Sequence, residues 1–400
     1  MDALATPSNW QRVRLGDIAE IIGGGTPSTQ ITSFWNGSIN WFTPTEIGIT
    51  KYVYKSQRTI TPLGLKKSSA KLLPIGTILL TSRASIGDCA ILKVVATTNQ
   101  GFQSLIPLEK INNEFLYYLM LTLKNKLLKL ASGSTFLEVS PNKIKNLLIP
   151  LPPLNEQIAI ANILSALDNY LHALRALILK KESVKKALSF ELLSQRKRLK
   201  GFNQAWQRVR LGTYKYRRGS FPQPYGNPQW YSDNGMPFVQ VYDVGENFKL
   251  TQRTKQKISK IAQPMSVFVP KNSVIITLQG TIGRVALTQY DCYCDRTILI
   301  FDNNTLNDVN KYFFVLSLFT KFEEEKRKAD GSIIKTITKQ TLKDFEILLP
   351  PLNEQIAIAN ILSGLDHEII SLKNKKRQFE NIKKALNHDL MSAKIRVLKK

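Results

Sequence analysis

Leu151-Pro-Pro-Leu-Asn-Glu-Gln-Ile-Ala-Ile-Ala-Asn-Ile-Leu-Ser165 occurs a second time, unchanged, as Leu349 to Ser363, 198 positions further on (349 − 151). A fold alone does not demand identical surface residues at two places, because cores accept many apolar substitutions of similar volume. Fifteen shared residues therefore point to recent duplication, or to one surface offered twice to identical partners. Each copy follows a block of domain size and opens a long helical segment. Pro152-Pro153 and Pro350-Pro351 favour extended chain just before each helix. Asn155 and Asn353 then stand at N-cap positions, with Glu156 and Glu354 favourable to the first-turn dipole.

Downstream of each copy the apolar period becomes 3.5. Leu164, Leu167, Leu171, Leu174, Ile178, Val184, Leu188 and Leu192 make one stripe; Leu362, Leu365, Ile369, Leu372, Phe379, Ile382, Leu386 and Leu390 make the other. Runs of this length argue for coiled coil rather than a generic surface helix. From Asn155 to about Leu199 the first helix would reach about 65 Å, at 1.5 Å per residue. The second helix has nowhere to bury its stripe except on the first. It is expected to run back antiparallel, which gives the chain a pseudo-two-fold axis.

Upstream, Trp10-Gln-Arg-Val-Arg-Leu-Gly16 returns intact as Trp206 to Gly212. Trp41 to Gly48 matches Phe238 to Gly245 in pattern, Thr81 to Gly87 matches Thr277 to Gly283, and Ser132 to Thr135 lies opposite Asp330 to Ile333. Offsets of 196 to 198 at collinear landmarks mean tandem duplication of a domain plus its helix; the period is too long for a solenoid. Inside the blocks, Ile75 to Thr81 and Asn272 to Thr277 read as strands, Glu114 to Leu130 and Asn310 to Lys328 as helices. The interiors, 26–74 against 220–270, share little. Common ends with unlike middles suggest one scaffold with two readings. The expected class is α+β: two homologous mixed α/β domains, 1–151 and 201–349, with helical segments 152–200 and 350–400.

Charge narrows the partner. Lys plus Arg number 56 against 30 Asp plus Glu, a net +26 with a pI near 9.9. A surplus of that size points to a polyanion, with nucleic acid in first place; the plainer reading is lysine used for solubility. Cys89, Cys292 and Cys294 make neither an even disulfide framework nor a four-ligand zinc pattern. Buried, inert thiols in a reducing compartment are expected. No apolar run reaches eighteen residues, and the start MDALATPSNW lacks a basic, then apolar, leader. A soluble, cytoplasmic protein with no membrane partner is the expectation.

Catalytic signatures are missing. Gly23-Gly24-Gly25-Thr26-Pro27 lacks the lysine of a phosphate loop and reads as a turn bringing backbone close to a partner. Glu324-Glu325-Lys326 imitates half of a nuclease site but sits in a helical run, where alternating charge is usually a solvated face. Binding chemistry is better represented. Base edges are read by Arg, Lys, Asn and Gln, and phosphates by Lys, Arg, Ser and Thr. Candidate DNA contacts are Thr26, Ser28, Lys51, Lys55, Arg58, Ser82 and Arg83 in the first block, and Arg217, Arg218, Arg253, Lys255, Gln279 and Arg284 in the second. Core packing is the plainer reading for any single aromatic between them, and Asp88 is an alternative, carboxylate partner for Arg83.

With Trp10 to Asp17, Gly24-Gly-Thr-Pro-Ser28, Ser82 to Gly87 and both PPLNEQ helix starts in view, the chain resembles a specificity subunit of a type I restriction–modification system. The second block departs from that pattern, with Gly219-Ser-Phe-Pro222 in place of the GGTPS run. The resemblance implies that each block is a target-recognition domain reading half of a split, asymmetric DNA site, with the helices as spacer. It implies a chain that is not itself an enzyme and holds no cofactor; S-adenosylmethionine, ATP and Mg belong to partner subunits. Those partners would be two methyltransferase subunits and restriction/translocase subunits. Asn155, Glu156 and Gln157, with Asn353, Glu354 and Gln355, are expected to be exposed and to contact the methyltransferases. The rival from another class is a basic coiled-coil scaffold binding RNA or protein without DNA sequence specificity. A self-sufficient nuclease or methyltransferase is a third.

Overall fold

A computed structural model of the chain describes residues 7–133, 137–245, 247–280, 282–328 and 339–397. Ser134, Thr135 and Thr281, and the Asp330 to Ile333 landmark, lie outside the described residues. The long helices are α1 (Asn113–Leu130), α2 (Leu154–Leu193), α3 (Lys311–Lys328) and α4 (Leu352–Met391). Contacts divide the chain into two compact units, residues 1–176 with 373–400, and residues 177–372. The first unit is discontinuous in sequence and the second is one continuous run, yet each joins one β-rich block to the start of its own long helix and the end of the other.

In the first unit a five-stranded sheet runs Ala19–Gly23, Gln103–Pro107, Ile78–Leu80, Cys89–Leu92, Tyr52–Val53 in spatial order. A three-stranded sheet places Trp35–Phe42 between Arg58–Ile60 and Ala96–Thr98. Gln11–Arg14 pairs antiparallel with Leu148–Leu151, so the repeated WQRVR opening is stitched to the strand that feeds α2. Phe115, Leu116, Leu119 and Met120 of α1 pack into the core with Ile160 and Leu164 of α2 and with Leu390 and Met391 of α4.

The second unit has two four-stranded sheets. One is ordered Tyr216–Arg218, Ile298–Phe301, Val274–Thr277, Val285–Leu287; the other Gln256–Ile258, Tyr231–Val239, Cys292–Cys294, Val267–Val269. Gln207–Arg210 pairs with Glu346–Leu349 ahead of α4. Its core gathers Phe313, Phe314 and Leu318 of α3, Ile358 and Leu362 of α4, and Leu192 of α2.

The dissimilar interiors prove to share a plan. The central strand slips register against its edge partner between Trp35 and Ile39 in one unit and between Tyr231 and Met236 in the other. Just after it, the Thr43 and Gln240 amides donate to Glu46 and Asp243, closing the same one-turn helix. The Gly87 amide donates to the Thr81 carbonyl, and Gly283 to Thr277, both at 3.0 Å. Both glycines hold positive φ, +87° and +76°, which a side chain would strain.

Three expectations about the helices are corrected. Asn155 and Asn353 do not cap: each lies inside its helix, and the Pro153 and Pro351 carbonyls take the first amides instead. The first helix stops at Leu193 rather than Leu199, giving 40 residues, about 60 Å. Gln195 and Ala393 turn the chain with φ near +60° at equivalent places. Finally, Val184 and Ile382 are exposed. Three-four spacing carried on from Ile178 falls on Lys181, Lys185, Leu188 and Leu192, so lysines occupy the seam in place of Val184. In the first unit Lys383 meets Asp168 and Phe379 meets Tyr170, ring centroids 4.8 Å apart. In the second, Lys181 pairs with Glu368 at 2.8 Å and Lys185 with Asp366 at 2.5 Å. The descending partner numbers make the helix pairing antiparallel within each unit.

Candidate nucleic-acid interface

The duplicated helix start is a clamp facing inward. Glu156 is 2% exposed and its carboxylate accepts from Trp10 Nε1 at 3.1 Å and from Arg396 Nε at 2.8 Å. Glu354, 1% exposed, repeats this with Trp206 Nε1 at 3.2 Å and Arg198 Nη2 at 2.6 Å. Gln157 accepts from the Asn112 amide and donates to the Pro152 carbonyl; Gln355 does the same with Asn310 and Pro350. The expectation that these four side chains are exposed is therefore corrected. Taking a carboxylate out of water is tolerated only with full pairing, and the internal partners supply it. Exposed at the same helix starts are Leu154, Asn155 and Ile158, and again Leu352, Asn353 and Ile356. Sequence reasoning missed Arg198 and Arg396, although the repeat offset itself relates them (396 − 198 = 198).

The DNA candidates divide by burial. Lys51 is internal: its ammonium donates to Tyr118 at 3.0 Å and Ser165 at 2.8 Å and pairs with Glu114. Ser82 is 1% exposed and donates to the Gly101 carbonyl. Both are removed from the contact set, because their polar atoms are already satisfied inside the first unit. Arg83 pairs with Glu138 at 2.8 Å rather than with Asp88, which takes Lys124. Thr26 and Ser28 are held in place: the Thr26 hydroxyl donates to Gln100, and the Ser28 carbonyl accepts from Trp35 Nε1. Lys55 and Arg58 are exposed. The Arg58 guanidinium lies over the Trp35 ring at 3.7 Å and within 5.5 Å of Trp41.

In the second unit Arg217, Arg218, Arg253, Lys255 and Gln279 are exposed. Arg217 donates to the Phe268 carbonyl at 3.1 Å, and Arg284 to the Val244 carbonyl at 3.1 Å. Lys255 lies over the Tyr242 ring at 5.1 Å while its backbone amide donates to Asp243. Burial pushes the Asp243 carboxyl up from its usual range, opposed by those amide hydrogen bonds. The segments themselves are one-signed in sequence: residues 47–87 contain seven Lys plus Arg and no Asp or Glu, and residues 247–290 again seven and none.

The glycine turn serves the fold. A Cβ on Gly24 would lie 1.9 Å from the Asn99 carbonyl oxygen, and one on Gly25 2.3 Å from the Ala70 nitrogen. The close approach these glycines make is to the chain's own backbone. Gly219, where a Cβ would lie 2.2 Å from the Cys294 carbonyl oxygen, meets the same need in the second unit. Glu323 and Glu325 form helical ion pairs with Lys326 and Lys321 at 2.8 Å, as expected of a solvated face. All three cysteines are free and buried, and burial pushes the Cys89 thiol up to about 12. Among the described residues, no helix is long and apolar enough to cross a membrane.

Residues 7–181 and 223–381 match the family described as the type I restriction modification DNA specificity domain. The chain is 28% identical over 421 residues to the type I restriction enzyme MjaIX specificity subunit of Methanocaldococcus jannaschii, covering 98% of this chain and 94% of that one. In fold it is similar to the crystal structure of the type I restriction–modification S subunit from M. genitalium, at TM-score 0.61 and 16% identity, covering 97% of each chain. A chain from a structural study of type I complex assembly and conformational transition gives TM-score 0.64 at 20% identity, over 97% of this chain and 98% of the other.

Proposed function

Since this chain belongs to the type I restriction modification DNA specificity domain family, we propose that its two β-rich blocks read the unlike halves of one bipartite DNA site. It is a specificity subunit, the non-catalytic recognition component of such a system. The observation that carries the bipartite reading is a shared fold with different side chains at equivalent exposed places. On the same Thr-to-Gly turn, the partly exposed Arg83 of one block stands where the exposed Gln279 stands in the other, each following a buried residue, Ser82 or Leu278. Lys55, Arg58, Arg83, Arg253, Lys255 and Gln279 would supply phosphate and base contacts from the acid-free segments, with Arg217 and Arg218 adding to them from the edge strand Tyr216–Arg218.

The repeated helix starts would dock two copies of one methyltransferase subunit. Their support is sequence identity together with matched exposure: Leu154 and Ile158 are 46% and 42% exposed, Leu352 and Ile356 41% and 42%. Asn155 and Asn353 lie on this face and remain in the proposed contact; the buried Glu and Gln pairs shape it from beneath. Restriction/translocase subunits would join the assembled complex, with S-adenosylmethionine, ATP and Mg held by the partners.

Co-expression with a methyltransferase subunit, followed by genome-wide mapping of methyladenine, tests this. One gapped motif with unlike halves is expected. A palindromic motif, or binding that does not distinguish duplex DNA from RNA, would overturn the reading.

A further inference from the structure

Two residues stand at one place in the two recognition blocks. Arg58 pairs with Trp41 in the first small sheet, and Gln256 pairs with Phe238 in the second. Two residues on, Ile60 pairs with Trp35 and Ile258 with Tyr231, across the same register slip. Both residues open the edge strand of their sheet, Arg58–Ile60 and Gln256–Ile258. Each also rests on the aromatic at the start of the central strand. Arg58 stacks on Trp35, and the Gln256 amide faces the Tyr231 hydroxyl, which itself donates to the Tyr225 carbonyl.

Stacking holds the Arg58 side chain in one orientation while leaving its hydrogen-bonding edge outward; the hydrogen bond to Tyr231 orients the Gln256 carboxamide instead, using one amide hydrogen and leaving the other and the oxygen. Among the described residues, no hydrogen bond or ion pair occupies the Arg58 guanidinium, and the residue is exposed. Edge strands are where a sheet meets another molecule, and both edges lie within the acid-free segments. The chemistry at the two positions differs in a readable way. A guanidinium matches the O6 and N7 acceptors of guanine in the major groove, and a carboxamide matches the N6 donor and N7 acceptor of adenine.

We propose that Arg58 and Gln256 are equivalent base-reading positions, Arg58 selecting a guanine in one half-site and Gln256 an adenine in the other. The proposal rests on the bipartite DNA reading above. It assigns one specificity-determining contact per block and makes the edge strand the element presented to bases.

The test exchanges the two chemistries in the full chain, co-expressed with the methyltransferase subunit, and maps the methylated motif. Arg58→Gln is expected to change a guanine to an adenine at one position of one half-site, leaving the other half and the gap intact. Gln256→Arg is expected to do the converse in the other half. Arg58→Lys keeps the charge but not the planar fork, and should lower discrimination at that position on the order of tenfold or more. If Arg58→Gln fails to accumulate, the other two variants carry the test. Unchanged motifs, or equal losses at all sequences with base preference intact, overturn the proposal. Absence of any gapped motif from the wild-type complex would instead sink the bipartite reading.

Discussion

Arg396 and Glu156, 240 residues apart in sequence, are joined by paired hydrogen bonds of 2.8 and 3.1 Å in the first unit. Arg198 and Glu354 make the same bidentate pair, at 3.2 and 2.6 Å, in the second. In each case the arginine follows the end of one long helix and the glutamate begins the other. The residue after one repeat's helix thus closes the helix start of the other repeat.

Removing Arg396 leaves the Glu156 carboxylate buried with only Trp10 for a partner. Arg396→Ala is expected to cost about 3 kcal/mol, as for other broken buried pairs. Hydrogen exchange should place the loss in the first unit, and Arg198→Ala should place it in the second. Equal protection of Glu156 neighbours in wild type and Arg396→Ala would count against the clamp.

Two glycine substitutions should act in opposite directions. Gly364 sits in α4 with no atom within 4 Å of an added Cβ, and the first repeat already carries Ala166 there. Gly364→Ala should stabilise by about 0.5–1 kcal/mol through helix propensity. Gly25→Ala forces a Cβ against the Ala70 backbone and should destabilise by about 3 kcal/mol. Denaturant melts of both variants decide the matter.

Lys51 and Lys55 are four positions apart in sequence but should behave differently. Lys51→Met should lower stability by about 2 kcal/mol, because Glu114 keeps its burial and loses its cation, while the salt dependence of DNA binding stays unchanged. Lys55→Ala should leave the melt within about 0.5 kcal/mol and flatten the slope of log affinity against log salt by about one. Titrations at several salt concentrations report both.

The exposed isoleucines offer a count. Ile158→Asp should remove one methyltransferase subunit from the assembled complex, and Ile158→Asp with Ile356→Asp should remove both. The melting temperature should stay close to wild type, because both side chains are exposed. Native mass spectrometry reads the stoichiometry; full assembly by the double variant would refute the docking face.

Thiol chemistry reports on packing. A thiolate is the reactive form, and burial raises the thiols of Cys89 and Cys294. At pH 8 the native protein should give no fast reaction with an aromatic disulfide reagent, and three thiols should react after unfolding. A fast-reacting thiol in the folded protein would contradict the burial of all three.

Much of the architecture was legible because duplication prints itself in the chain. The WQRVRLG and LPPLNEQ repeats marked both blocks and both helices, and Thr81 to Gly87 against Thr277 to Gly283 marked a turn that the structure reproduces. Local rules found α1 and α3 to within a residue. They failed where partners are distant in sequence. Glu156 and Gln157 look like surface residues until Trp10, Asn112 and Arg396 are brought around them. Lys51 looks like a DNA contact until Glu114, Tyr118 and Ser165 surround it.

The sequence by itself determined the family resemblance, the duplication, the paired long helices and the net positive charge, because identity, periodicity and charge need no coordinates. Only the tertiary structure decided which polar residues face inward, and that Lys185 and Lys383 rather than Val184 and Ile382 continue the helix seam. It also placed Arg58 and Gln256 at one register position. The physical reason is the same in each case. Whether a polar group is a contact or a clamp depends on what desolvates it, and the groups that do so lie tens to hundreds of residues away.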